Sequence, residues 1–94
     1  MRDSPFVMLK ITRSTNSGTT TLALSGRIGP EQLADLRRCV EEERGNGVVL
    51  DLAEVNLVDV AVVWFFIECA AQGILLVQCP RYVQEWMVRE KRPS

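Results

Sequence analysis

Hydrophobic and polar positions change period several times along the chain, and each change marks a predicted element. Residues 6–12 and 19–25 are rich in β-branched residues, and the Arg13-Ser-Thr-Asn-Ser-Gly18 stretch between them carries turn chemistry, which predicts a hairpin. In the second strand Leu22 and Leu24 alternate with Thr21, Ala23 and Ser25, so one sheet face is apolar and the other polar or small. Gly26-Arg-Ile-Gly29-Pro30 is expected to stop that strand. Pro30 suits a first helical position, and Glu31 complements the positive end of the helix dipole. A helix is predicted from Pro30 to about Arg44, with an apolar stripe of Leu33, Leu36 and Cys39 or Val40. Asp35, Arg37, Arg38 and the Glu41-Glu-Glu43 run form its solvated side.

Gly45-Asn-Gly47 ends the helix with residues that accept positive φ, and residues 48–53 follow as a strand nearly apolar on both faces, which places it centrally. Its charged member, Asp51, shares a face with Val49 and Ala53 and opposes Leu50 and Leu52. This favours helices gathered mainly on one face of the sheet; the alternative is an Asp51 paired inside a covered interior. Asp59 is placed to cap a helix over 60–72 that stops at Gly73. Residues 74–78 predict a short strand, and a last helix runs from Pro80 to about Lys91 with a stripe of Tyr82, Val83, Trp86 and Met87. The order is β-β-α-β-α-β-α over a single domain, residues 1–94, with a core over about 6–91. Alternating strands and helices imply an α/β fold in which parallel neighbours are joined by right-handed crossovers.

The helix over 60–72 is the most informative. With Glu68 at the centre of its outer face and about 100° per residue, Ala61 and Gln72 fall beside Glu68, Trp64 and Phe65 flank it, and Val63, Phe66 and Ala70 point oppositely. Two large aromatics are then expected on the solvent side, where such residues serve as interface anchors.

Composition narrows the function classes. Hydrophobic residues at 47% and charged residues at 24% are those of an ordinary globular domain. A formal charge of −1 gives no attraction to a phosphate backbone, so no nucleic-acid partner is expected. The absence of histidine removes the commonest general base and zinc ligand. No nucleophile and base pair stands out, so the expectation is a protein that is not an enzyme, with no catalytic residues and no cofactor. Cys39, Cys69 and Cys79 form no Cys-x-x-Cys and are read as small buried hydrophobes. The Met1-Arg-Asp-Ser-Pro5 start runs into strand-like sequence without an apolar signal core, which predicts a cytoplasmic protein. The longest apolar stretch, 60–67, is far shorter than the roughly 20 residues of a membrane span.

Short motifs add little. Gly26-Arg-Ile-Gly29 has the spacing of an RNA-clamping loop but follows a strand rather than joining two helices. Gly45-Asn-Gly47 enters a strand, the wrong context for a phosphate loop. Asp51, Glu54 and Asp59 are expected near the end of the central strand, but capping and solvation explain them and no metal site is assigned.

Over nearly its whole length the chain resembles the STAS family, named for sulfate transporters and anti-sigma factor antagonists. The carrying residues are Leu22-Ala-Leu-Ser-Gly-Arg-Ile28, Val48-Val-Leu-Asp-Leu-Ala-Glu-Val55, Leu57-Val-Asp59 and the tail Gly73-Ile-Leu-Leu-Val-Gln-Cys-Pro80. The resemblance implies a right-handed β/α superhelix on a mixed sheet of about four strands with three or more helices. Family members commonly carry Asp-Ser-Ser-Gly at the start of the second helix, where a kinase phosphorylates the first Ser; here the stretch is Asp59-Val-Ala-Val62. Val60 has no hydroxyl, so no phosphorylation site is carried over. What the resemblance implies is a bacterial, non-catalytic regulatory module that binds a protein partner through the surface around the helix start, Asp59, Val60 and Ala61, which Trp64, Phe65 and Glu68 of the outer face read above would extend. Its partner would be a kinase-like anti-sigma factor. The alternatives are a small accessory subunit of a lipid-transport ATPase, whose Thr near this helix is absent at Val60 and Ala61, and a homodimer binding a nucleotide or other small ligand near Gly26, Arg27, Asp51 and Asp59.

Overall fold

The computed structural model describes residues 9–43, 45 and 47–91. Seven elements follow in the order β1 (Lys10–Asn16), β2 (Thr19–Ile28), α1 (Pro30–Glu42), β3 (Gly47–Val58), α2 (Val60–Ala71), β4 (Leu75–Val77) and α3 (Arg81–Lys91). The four strands form one mixed α/β sheet in the order β1-β2-β3-β4. β1 runs antiparallel to β2, while β2, β3 and β4 are parallel.

The opening hairpin is tighter than the sequence suggests. Ser17 and Gly18 alone make the turn, with φ of 52° and 80°, as a two-residue hairpin requires. Arg13 to Asn16 therefore belong to β1 rather than to the turn, and Ser14 faces Thr21, Thr15 faces Thr20 and Asn16 faces Thr19. Polar composition reads as a loop, but threonine is β-branched and its cross-strand pairs stabilise a ladder. Of the strand expected over 6–12, residues 6–8 lie outside the described residues, as do Arg44 and Asn46 at the end of the first helix.

In β2, Thr20, Leu22, Leu24, Gly26 and Ile28 are buried while the residues between them are half-buried or exposed. The strand does not stop at Gly26, which adopts a φ of 91° and lets it continue to Ile28. Gly29 and Pro30 end it, and the Gln32 side chain accepts from the Gly29 N–H at 2.8 Å to close the start of α1.

β3 likewise outruns its expected end at Ala53. It carries two extra residues relative to β2: Ala23 faces Asp51 but Ser25 faces Glu54, and Gly26 faces Val55 but Arg27 faces Leu57. These bulges decide which side chains face inward. After Leu50 and Leu52 a regular strand would turn Glu54 into the core; the first bulge turns Glu54 out and Val55 in, and the second brings Val58 in. Asp51 Oδ1 accepts from the Ala53 N–H at 3.0 Å and fastens the first bulge. Asp51 is thus on the open face, bonded to its own strand, and not paired in a covered interior.

All three helices lie on the other face. Leu36 and Val40 of α1, Val62, Val63, Phe65, Phe66 and Cys69 of α2, and Val83 of α3 share one core with Leu22, Leu24, Ile28, Leu50 and Leu52 of the sheet. Thr20, the buried polar residue, donates its hydroxyl to Glu43 Oε1 at 3.0 Å. Arg13 reaches Glu42 at 3.2 Å and Glu43 at 3.3 Å and ties β1 to the end of α1.

Asp51→Ala, which frees the Ala53 N–H, is expected to lower the unfolding free energy by about 1 kcal/mol. Asp51→Asn, which keeps an acceptor oxygen, is expected to lose less than half of that. Urea titration checks both, and an unaffected Asp51→Ala would mean that the bulge holds without its clamp.

Candidate functional site

The parallel pairing of β2 and β3 brings their carboxyl ends to one edge of the sheet, where α1 and α2 begin. Asp59 joins the two strand ends: its N–H donates to the Ile28 carbonyl at 3.3 Å, and its Oδ2 accepts from the Ala61 N–H at 3.1 Å as the cap of α2. Its own carbonyl accepts from Val62 and Val63 and starts the helical ladder. Val60 follows as the first helical residue, and Val60 and Ala61 are both half-buried.

Trp64 stands one turn further on the same outer face and is 53% exposed. Its indole Nε1–H donates to Glu90 Oε1 of α3 at 2.8 Å. The ring bridges two helices, its polar edge satisfied while about half of the side chain stays open to solvent. Glu68 continues the exposed line and meets Arg37 of α1 at 3.4 Å.

Phe65 departs from the sequence expectation. It is 5% exposed and belongs to the core, with the Arg37 guanidinium 4.9 Å above its ring centroid and the Phe66 ring 6.4 Å away. The cause is the neighbour on that flank. Helical spacing sets Trp64 and Phe65 on either side of Glu68, but α1 packs against the Phe65 side and covers it. Ala70, expected inward, is exposed at the end of the helix, and Tyr82, expected in the apolar stripe of α3, is 42% exposed. The Tyr82 hydroxyl instead donates to the carbonyl of Asn56 at 2.7 Å, in the second bulge of β3. The Trp64 to Glu90 contact had no sequence signal, since it depends on how α2 crosses α3.

A cleft of about 340 Å³ lies at the same edge, lined by Arg27, Gly29, Gln32, Leu57 and Asp59 among others. It does not gather the small-ligand set. Gly26 is buried within β2, and Asp51 faces Ala23 in mid-sheet, roughly 20 Å from Asp59 at about 3.3 Å per residue. Glu54 stands nearer, roughly 15 Å along the strand from Asp59, and among the described residues no group of three His, Cys, Asp or Glu side chains is placed to hold a metal.

The three cysteines are free thiols. Cys69 is buried, and desolvation, aided by the nearby Glu68 charge, pushes its thiol up to about 11. Burial also raises the Cys79 thiol. Among the described residues no helix is long and apolar enough to cross a membrane. No protein-family model matches the chain, and no curated protein matches its sequence.

Two outcomes are expected. Asp59→Ala, which uncaps α2, should cost about 1 kcal/mol of stability by urea unfolding. Because the folded state holds the Cys69 proton more tightly than the unfolded state, the stabilisation is complete below the ordinary thiol value of 9.0 and is lost as pH rises toward about 11. Cys69→Ala should flatten that part of the stability profile; an unaltered alkaline slope would assign it to another group, such as Tyr82, whose hydroxyl burial also raises.

Proposed function

We propose that the chain is a non-catalytic protein-interaction module that docks a partner through the outer face of α2, in the manner of the anti-sigma factor antagonists it resembles but without a phospho-switch. The observation that carries this reading is Trp64, an exposed ring whose orientation is already fixed by its bond to Glu90. Immobilising a free side chain on docking costs about 0.5–1.5 kcal/mol, and a ring held in place avoids most of that. Tryptophan is also among the residue types most enriched at interface hot spots.

Val60 and Ala61 extend the apolar surface toward the start of α2, and Glu68 with Arg37 supplies a charged rim. Asp59 contributes by capping the helix that carries these side chains, and Phe65 by supporting it from beneath. Val60 offers no oxygen to a phosphoryl group, so binding at this site is set by concentration and affinity rather than by modification. The STAS resemblance suggests a kinase-like, ATP-binding anti-sigma factor as the partner.

Tagged protein is isolated from its host beside Trp64→Glu, captured proteins are identified by mass spectrometry, and the affinity of the recovered partner is measured by calorimetry. A kinase-like partner is expected, bound about 30-fold or more weaker by Trp64→Glu, the loss typical of a central aromatic anchor. Recovery of a transporter ATPase would move the module to the lipid-transport class. Equal affinity of the two proteins would remove α2 as the docking face. Phe65→Glu is expected to unfold the protein instead, because it places a charge in the core.

A further inference from the structure

The sheet has a second face, and among the described residues no element covers it. Strands in parallel sheets are almost always covered on both faces, and β2, β3 and β4 are parallel. The open face is also sorted by strand. β1 presents Lys10 and the hydroxyls of Thr12 and Ser14, β2 presents the small residues Thr21, Ala23 and Ser25, β3 presents Val49, Asp51 and Glu54, and β4, at the far edge, presents Leu75 and Val77. Donors lie on one side of the middle strand and carboxylates on the other. Arg27 lies beyond these rows, in the cleft near Asp59.

We propose that this open face is the contact surface of a two-fold homodimer, packed sheet against sheet. A two-fold axis running along β2 between the copies lays β2 over β2 and each β1 over the β3 of the other copy. The register then matches charges without adjustment. Lys10 and Glu54 both stand opposite Ser25, so Lys10 of one copy meets Glu54 of the other; Thr12 and Asp51 both stand opposite Ala23, so that hydroxyl meets the Asp51 carboxylate. Both pairs form twice. Within one chain, and among the described residues, neither Lys10 nor Glu54 makes an ion pair, and Asp51 spends Oδ1 on the Ala53 N–H and leaves Oδ2 to accept. The small side chains of β2 on the axis allow the sheets to approach to about 10 Å, the normal spacing of packed sheets.

The three overlapping strands, about 4.8 Å apart and about six residues long, give roughly 300 Å² of contact per copy. That is well under half of a standard interface, at about 800 Å² per partner. The dimer is accordingly weak and dependent on concentration.

Sedimentation velocity of the full chain from roughly 1 μM to 1 mM covers the range expected of so small an interface. Lys10→Glu and Glu54→Lys each create two like-charge contacts and are expected to weaken association about tenfold or more; the double variant should return to within about threefold of the wild type. Lys10→Gln and Glu54→Gln, which only neutralise, should give about threefold each and serve if a reversal fails to fold by circular dichroism. Trp64→Glu should leave the dimer unchanged. A protein that is monomeric throughout, a dimer insensitive to these substitutions, a double variant that is not restored, or a dimer lost with Trp64→Glu would each overturn the proposal. None of these results bears on partner binding by α2, which is read separately in the calorimetric assay.

Discussion

The parallel pairing of β2 with β3 is the contact on which the other elements depend. It runs from Thr19 opposite Gly47 to Ile28 opposite Val58, and it sets Leu22, Leu24 and Ile28 beside Leu50, Leu52 and Val58 on one face. Each such side chain contributes about 1.5–3 kcal/mol when buried, and a slip of one residue would turn the whole set to the open face. Because the pairing is parallel, both strands leave the sheet at the same edge, and α1 and α2 must start side by side. The Asp59 N–H bonded to the Ile28 carbonyl joins those two departures. The helix that bears Trp64 is therefore positioned by the sheet register and not by its own preferences.

The bulges in β3 show how that register tolerates an uneven sequence. A regular twelve-residue strand would alternate throughout and place Glu54 in the core. Two inserted residues change the period near the strand end from two to three, so Val55 and Val58 pack inward while Glu54, Asn56 and Leu57 face away. One bulge is held by Asp51 of the same strand and the other by Tyr82 of α3. Both polar groups look dispensable from sequence alone, and both hold backbone whose geometry departs from the ladder.

The same reasoning explains which features the sequence disclosed. Element order and the one-sided sheet were legible because Leu22 and Leu24 in β2 and Leu50 and Leu52 in β3 keep a strict period of two, and because Pro30, Asp59 and Gly73 mark helix ends through their own backbone chemistry. Strand ends were not legible where a bulge or a two-residue turn let the chain continue through residues that usually signal loops, as at Gly26 and at Arg13 to Asn16. In the candidate site, periodicity found the outer face of α2 and the exposed Trp64. It misplaced Phe65, since the boundary of a helix face is fixed by what packs beside it, here Arg37 of α1. The Glu90 partner of Trp64 lies 26 residues away and follows from a helix crossing that no local pattern encodes.

Among the described residues all three helices lie on one side of the sheet and form one core layer with it. Small domains bury a modest fraction of their surface, about 60% near 60 residues and about 70% near 150. A fully apolar second face would therefore stand exposed. The chain meets this on β1 and β2 by placing Thr12, Ser14, Thr21, Ala23 and Ser25 on the open side, residues that suit a strand but bring little apolar area, and confines the apolar Val49, Leu75 and Val77 to the β3–β4 side. Such a face can remain in water as a monomer, and for the same reason a contact centred on β2 must draw its specificity from the few charges set among the small residues rather than from area. The α2 face is built the other way, with one large fixed ring and little charge. The two surfaces lie on opposite sides of the sheet, so occupation of one leaves the other accessible, and substitutions in each should act additively.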